Sequence, residues 1–329
     1  MKQYHVYGLG AALVDTEIEV TDEFLQTANI EKGLMTLVDE TRQCELIDLM
    51  KDHLVGSKRA SGGSACNSII AASYFGAKTF YSCKVANDEN GQFFHHDTQA
   101  AGVSVQTSDL PAGTTGKCLV MITPDAERTM NTFLGISETL DESQLDHNAI
   151  AQSEYLYLEG YLVTSPTGKS AAIKAREIAE QNNVKTSISL SDPGMVQFFG
   201  DGLKEMIGTK VDLLFCNKDE ALSWTNTENI EHAAEAMKAS AKTFAITLGK
   251  AGALVFDGEQ LTTIAGESVS AIDTNGAGDM FAGAFLYAIT AGKSFPEAAK
   301  LANKAAAQVV SQYGPRLKPE QHAFLKALN

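Results

Sequence analysis

The sequence predicts an α/β protein with a mostly parallel central sheet flanked by helices and a small β-sheet lid. Two observations carry this expectation. Short apolar runs of strand length alternate with helix-compatible stretches through most of the chain, as parallel strands joined by helical crossovers require. Two regions break that rhythm with paired extended runs, and these supply the lid.

The elements follow in order. Thr79–Lys84 reads as a strand before a helix over Gly91–Ala101. Glu154–Leu158 is strand-like, and Ser170–Gln181 is helical by composition. Thr186–Leu190, Asp212–Cys216 and Thr243–Leu248 are further short apolar runs, with helices over Lys218–Ser223 and Ile230–Ser240 between the last two. Ala253–Phe256 follows across Gly249–Gly252, which suggests a hairpin at the far side of the sheet. Met280–Ala291 and Phe295–Val310 read as helices, the first of them buried. Ala11–Val20 with Leu34–Val38, and Thr114–Thr123 with Thr129–Phe133, are expected to be extended pieces without intervening helices. The lid is accordingly expected over about 11–40 and 106–134, within a single domain spanning 1–329. Ligands of open α/β sheets bind at the carboxyl ends of the strands, so a lid there would cover a site.

Composition narrows the function. The chain has 329 residues, 44% apolar and 20% charged, the balance of an ordinary globular protein. Lys and Arg number 26 against 41 Asp and Glu, a formal charge of −15. That argues against a nucleic-acid or anionic-membrane partner, since both need a basic face. A small anion is still admissible, because backbone N–H groups and one or two cations suffice to hold it. The five cysteines are scattered, without a C-x-x-C pair, which fits a reducing cytosol and a cytoplasmic protein. The uncharged stretch Ala60–Ala77 carries Ser61, Ser64, Asn67, Ser68 and several glycines, so it is not read as a membrane span.

The strongest chemical signal is Asp273-Thr274-Asn275-Gly276-Ala277-Gly278-Asp279, run straight into the apolar stretch from Met280. Gly276, Ala277 and Gly278 leave backbone N–H groups unobstructed at a helix N-terminus, where free donors and the helix dipole bind anions. A carboxylate in that first turn, Asp279, can take a proton from an attacking hydroxyl while the N–H groups stabilise a transferring phosphoryl. The same pattern would also suit an N-capping Asp after a Gly-rich turn. A second signal is Ser61-Gly62-Gly63-Ser64-Ala65-Cys66-Asn67. Paired glycines admit a ligand close to the backbone, and both ends of the Asn67 amide could bond sugar hydroxyls. A flexible loop with a helix cap is the alternative.

Other features are dismissed. Gly8-Leu9-Gly10 lacks the third glycine of a dinucleotide fingerprint, with Leu13 in its place. Adjacent His95 and His96 diverge on a helix and have no partner cluster for a metal. Trp224 and the scattered tyrosines form no stacking pattern for nucleic acid.

Taken together, the Gly-Gly-x-x-x-Asn motif at 62–67 and the Asp-Thr-x-Gly-Ala-Gly-Asp motif at 273–279 resemble those of the PfkB or ribokinase-like family of carbohydrate and nucleoside kinases. The resemblance covers nearly the whole chain and implies a ribokinase-like fold. It implies ATP as phosphoryl donor, Mg²⁺ as bridge and, as in many relatives, K⁺. It implies Asp279 as base and the N–H groups of Gly276, Ala277 and Gly278 as the phosphoryl cradle. Asp15, Gly62, Gly63, Ser64 and Asn67 would then grip the acceptor. Apart from the resemblance, the apolar lid residues Leu13, Leu37, Cys118, Leu119, Phe133 and Leu134 could supply a slot for a base, and Phe199, in the expected loop after Asp192-Pro193, an aromatic face. Asn217-Lys218-Asp219-Glu220 matches a family motif whose Glu organises the metal, and Thr247, Gly249 and Gly252 match the nucleotide-binding turn. Asn303 matches a position lining the adenine site, and Arg128 one that nears the transferring group on lid closure.

Within the family the closest likeness is to bacterial adenosine kinase-like members, carried by Ala126–Gly135, Tyr157–Leu162 and Gln312–Arg316. The expected acceptor is therefore the 5′-hydroxyl of adenosine. A ribose- or fructose-like sugar is the alternative acceptor, and a non-catalytic nucleotide sensor the alternative class. The resemblance leaves open a monomer or a homodimer.

Overall fold

The computed structural model describes residues 2–51, 58–106, 110–125 and 127–328. The expected lid segments at 107–109 and at 126 lie outside the described residues.

The main sheet runs, edge to edge, Leu261–Ala265, Gly252–Phe256, Ala241–Thr247, Val211–Asn217, Lys185–Ser189, Ser153–Glu159, Tyr4–Leu9, Thr79–Ser82 and Ser104–Val105. Strands from Ala241–Thr247 through to Ser104–Val105 are all parallel. The expected hairpin closes the far edge, with Thr247 opposite Ala253 in antiparallel register. One apolar layer lies on each side. Helices Ser64–Phe75, Ala277–Thr290 and Phe295–Val310 build one around Ile69, Phe281 and Phe285. Helices Pro166–Gln181, Pro193–Ile207 and Ile230–Met237 belong to the other, with Ala175, Leu203 and Met237. Sheet order reverses at Tyr4–Leu9, and the carboxyl ends of the strands beside it face the second sheet.

That second sheet has the order Met35–Leu37, Arg128–Gly135, Thr115–Ile122, Leu13–Glu19, Lys58–Gly62. It differs from expectation in two respects. The strand Lys58–Gly62, which leads into the glycine pair, pairs antiparallel with Leu13–Glu19 and completes the lid. The extended pieces are also separated by a helix, Asp22–Thr27, and followed by another, Glu40–Leu49. The physical reason is the outer lid face. Ile18, Val20, Leu119 and Met121 point away from the main sheet, and these helices cover them with Leu25 and Leu46. The start signals are legible in retrospect: Thr21 accepts from the Phe24 N–H and Asp39 from the Arg42 N–H, both as N-caps.

The last helix, Pro319–Ala327, docks on the helix that follows the glycine pair. His322 is fully buried there, edge-on to Phe75 at 4.6 Å between ring centroids. Burial holds its pKa below the ordinary imidazole value. A lowered folded-state pKa means that the unfolded chain takes up this proton first. The stabilisation is thus complete above about pH 6.5 and is lost as pH falls below it. Urea unfolding of the wild type should therefore weaken between pH 7 and 5 more steeply than that of His322→Leu; parallel curves would refute the assignment.

Candidate active site

The helix Ala277–Thr290 begins at Gly276, whose φ of 74° is a left-handed conformation that suits glycine. Asp279 lies in the first turn and is half-buried. Its two carboxylate oxygens face the neighbouring helix Ser64–Phe75. Ser64 Oγ donates to Oδ1 at 2.6 Å and Asn67 Nδ2 donates to Oδ2 at 3.2 Å. Burial raises the Asp279 pKa, and these donors together with the charges of Arg128 and Arg316 partly offset it. The two motifs, more than 200 residues apart in sequence, thus meet at one carboxylate. The reading of Asn67 changes in one respect: its amide is not free at both ends, since its Oδ1 accepts from Arg316 Nε at 3.1 Å.

Asp15 enters from the lid strand Leu13–Glu19. It is 6% exposed, and burial pushes its pKa up to about 8, with Arg316 pulling down and Glu17 and Asp279 pushing up. Gly62 makes its position possible. A Cβ at Gly62 would sit 2.0 Å from the Asp15 carboxyl carbon. Gly62 therefore acts by leaving space, whereas Gly63 and Ser64 line the cavity themselves.

That cavity has a volume of about 350 Å³ and lies between the lid and the strand ends. Its floor includes Glu159, Ser189, Asn217 and Thr247, each at or near the carboxyl end of its strand, together with Gly276, Ala277, Gly278 and Asp279. Its lid wall carries Leu13, Asp15, Met35, Leu37, Cys118, Arg128, Met130, Thr132 and Leu134. Strand alternation explains this set. Residues 128, 130, 132 and 134 share one face, so Phe133 points the other way, opposite Lys117 in the register. Phe133 does not line the cavity, and the expected aromatic contact is corrected to Leu134 and Met130. Phe199 is corrected too: it sits within the helix Pro193–Ile207, 38% exposed, and lines a separate surface hollow.

Glu220 is buried at the start of the helix Lys218–Thr225. Its oxygens accept from the Asn217 N–H at 3.0 Å and from Asn217 Nδ2 at 2.6 Å, while Asn217 caps the same helix in return. Burial pushes its pKa up to about 7, Asp192 adds to the rise and Arg128 opposes it. Gly249 and Gly252 shape the turn after Thr247 without lining the cavity. Asn303, outside the cavity, donates to the Ile264 and Ala265 carbonyls of the edge strand.

Two residues in the site had no role assigned from sequence. Glu159 is 1% exposed and accepts from the Ala11 N–H at 2.7 Å and the Ala65 N–H at 2.8 Å, joining the link between the strands Tyr4–Leu9 and Leu13–Glu19 to the helix of Asn67. Burial pushes its pKa up to about 7. An acidic residue directly after the apolar run Tyr155–Leu158 was the available signal. Arg316, on the turn before the last helix, had none beyond its place in Gln312–Arg316.

A family model described as the pfkB family carbohydrate kinase matches residues 39–322. The chain belongs to this family. It is a phosphotransferase that acts on a hydroxyl group. The crystal structure of adenosine kinase from Sinorhizobium meliloti superposes with a TM-score of 0.91 at 34% identity, covering 98% of this chain and 99% of that one. A probable sugar kinase protein from Rhizobium etli superposes at 0.92, also 34% identical, with full coverage of both. Adenosine kinase 2 of Arabidopsis thaliana is 29% identical over 344 residues, 96% of each chain. All five cysteines are free, and among the described residues no helix is long and apolar enough to cross a membrane.

Gly62→Ala should displace the Asp15 carboxylate and raise the acceptor KM at least about tenfold, about 1.4 kcal/mol in binding. The ATP KM should stay within about threefold. Initial-rate kinetics in both substrates check this, and an unchanged acceptor KM would show that Asp15 does not hold the acceptor.

Proposed function

We propose that this pfkB kinase transfers the γ-phosphoryl of ATP to the 5′-hydroxyl of adenosine, giving AMP and ADP. The observation that carries the acceptor assignment is the cavity's two-sided chemistry. Asp15 and, at the start of the helix Ser64–Phe75, Gly63, Ser64 and Asn67 offer polar groups for ribose, while Leu13, Met35, Leu37, Met130 and Leu134 form an apolar wall suited to a flat base. The similarity to adenosine kinases supports the same reading.

Asp279 takes the proton of the 5′-hydroxyl as its oxygen bonds to the γ-phosphorus, and the bond to the β-phosphate oxygen breaks, leaving its electron pair on ADP. A pKa raised by burial makes Asp279 a stronger base than an exposed carboxylate. The N–H groups of Gly276, Ala277 and Gly278 meet the charge on the transferring group. Arg128, at the start of its lid strand and half-buried, adds a cation from above when the lid closes. Among the described residues no set of three acidic or imidazole groups converges as a metal cage. Mg²⁺ carried on the phosphates would neutralise their charge, with Glu220 as the cavity carboxylate that orients it. The nucleotide end is assigned to Asn217, Thr247, the Gly249–Gly252 turn and Asn303.

Asp279→Asn should keep the fold and ATP binding while kcat falls on the order of 10²–10⁴-fold. Turnover within a few-fold of wild type would remove Asp279 from the base role. The acceptor is tested with adenosine, inosine, ribose and fructose at equal concentration, with ATP and Mg²⁺, in K⁺ and Na⁺ buffers. Adenosine should lead in kcat/KM by more than about tenfold, roughly 1.4 kcal/mol in transition-state binding. A lead of that size for ribose or fructose would sink the nucleoside assignment and leave the kinase standing.

A further inference from the structure

The turn Gly314-Pro315-Arg316 touches both halves of the site, although none of its residues lines the cavity. On the phosphoryl side, the Gly314 N–H donates to Asp273 Oδ2 at 2.9 Å, and Asp273 Oδ1 accepts from the Asn275 N–H at 2.8 Å. Asp273 is fully buried, so these bonds pin the signature loop to the turn. Pro315 packs so closely under Gly276 that a Cβ on that glycine would lie 2.6 Å from it. On the acceptor side, the Arg316 guanidinium spends three nitrogens on three elements. Nε donates to Asn67 Oδ1 at 3.1 Å, Nη1 to Asp97 Oδ2 at 2.9 Å and Nη2 to Ser61 Oγ at 2.9 Å. Ser61 belongs to the lid strand Lys58–Gly62, Asp97 to the helix Glu89–Ala100, and Asn67 to the helix Ser64–Phe75.

The bond to Asn67 has a specific consequence. An amide has one accepting and one donating end. With Oδ1 held by Arg316, Nδ2 must face Asp279, where it donates at 3.2 Å. Without the guanidinium the amide could rotate and present its oxygen to the carboxylate.

We propose that Arg316 is a positioning residue for phosphoryl transfer: through Asn67 and Ser61 it aligns the acceptor side of the site with the Asp279 loop that the same turn holds. The proposal rests on Asp279 being the base but not on which hydroxyl is the acceptor. A planar fork with fixed donor directions is required, which a lysine ammonium cannot reproduce. The charged and titratable groups facing Arg316 are Asp15 on the lid, Cys66 and Tyr74 on the helix of Asn67, Asp97, and Asp279; its charge lowers the pKa of each.

The test uses the full chain, ATP with Mg²⁺, and whichever acceptor the wild type turns over best. Arg316→Gln should lower kcat about 10–100-fold, the scale of a misaligned reacting group, with the ATP KM unchanged. The acid limb of its kcat/KM profile should move to higher pH, because Asp15 and Asp279 lose a neighbouring cation. Arg316→Lys should restore the acid limb but not kcat. The Arg316→Gln, Asn67→Ala double variant should be no slower than the slower single variant, since both break one chain of contacts. A folded Arg316→Gln enzyme with kcat within about threefold of wild type, or effects that multiply in the double variant, would overturn the proposal. If Arg316→Gln does not fold, Arg316→Lys decides: near-wild-type kcat refutes the fork. Full activity of Asp279→Asn would instead refute the underlying mechanism, whatever Arg316 does.

Discussion

The structure is organised around one carboxylate brought below the surface at a helix start. Desolvating an ionised carboxylate costs several kcal/mol, and the cost is tolerable only if fixed donors replace water. Asp279 obtains them from Ser64 and Asn67, one turn apart on a helix that packs directly against its own. Hydrogen bonds to a charged acceptor contribute about 1.5–3 kcal/mol each, so the pair offsets much of the penalty without removing it. Asp279 is left a better base than a solvated aspartate.

The same principle recurs around it. Asp15, Glu159 and Glu220 are all buried with raised pKa values, in a cavity whose lining includes Arg128 as a cation from the lid. Glu159 is satisfied by two backbone N–H groups and Glu220 by the backbone and side-chain amides of Asn217, so they brace the link between the two sheets, a helix start and a helix cap. Asp15 has space cleared for it by Gly62 and faces the cavity. All three line the cavity, but Glu159 and Glu220 also hold parts of the fold together, whereas the Asp15 carboxylate does not brace an element in this way. The lid adds a second division, through strand alternation. One face supplies the apolar wall of the cavity, and the other packs against two short helices that keep the lid a unit of its own.

Much of this was legible in the sequence. The alternation of apolar runs gave the parallel sheet, because strands buried on both faces must be apolar throughout and short. The Gly276–Asp279 run marked the start of the buried helix, because glycines followed by an apolar stretch break one element and open the next. The first lid helix was obscured by its shortness: Asp22–Thr27 is six residues, under the length at which periodicity can speak. Phe133 was misplaced because a strand's composition does not state its register, and a shift of one residue reverses its face.

Local chemistry was thus fixed by the chain itself: where helices start, which loops leave N–H groups free, which residue types could move a proton. Only the tertiary structure decided which of these groups meet. Ser64, Asn67 and Asp279 come from helices far apart in sequence, and Arg316 reaches three elements from a turn near the chain's end. Such contacts depend on how helices cross and strands align, and those follow from packing summed over the whole core rather than from any local pattern.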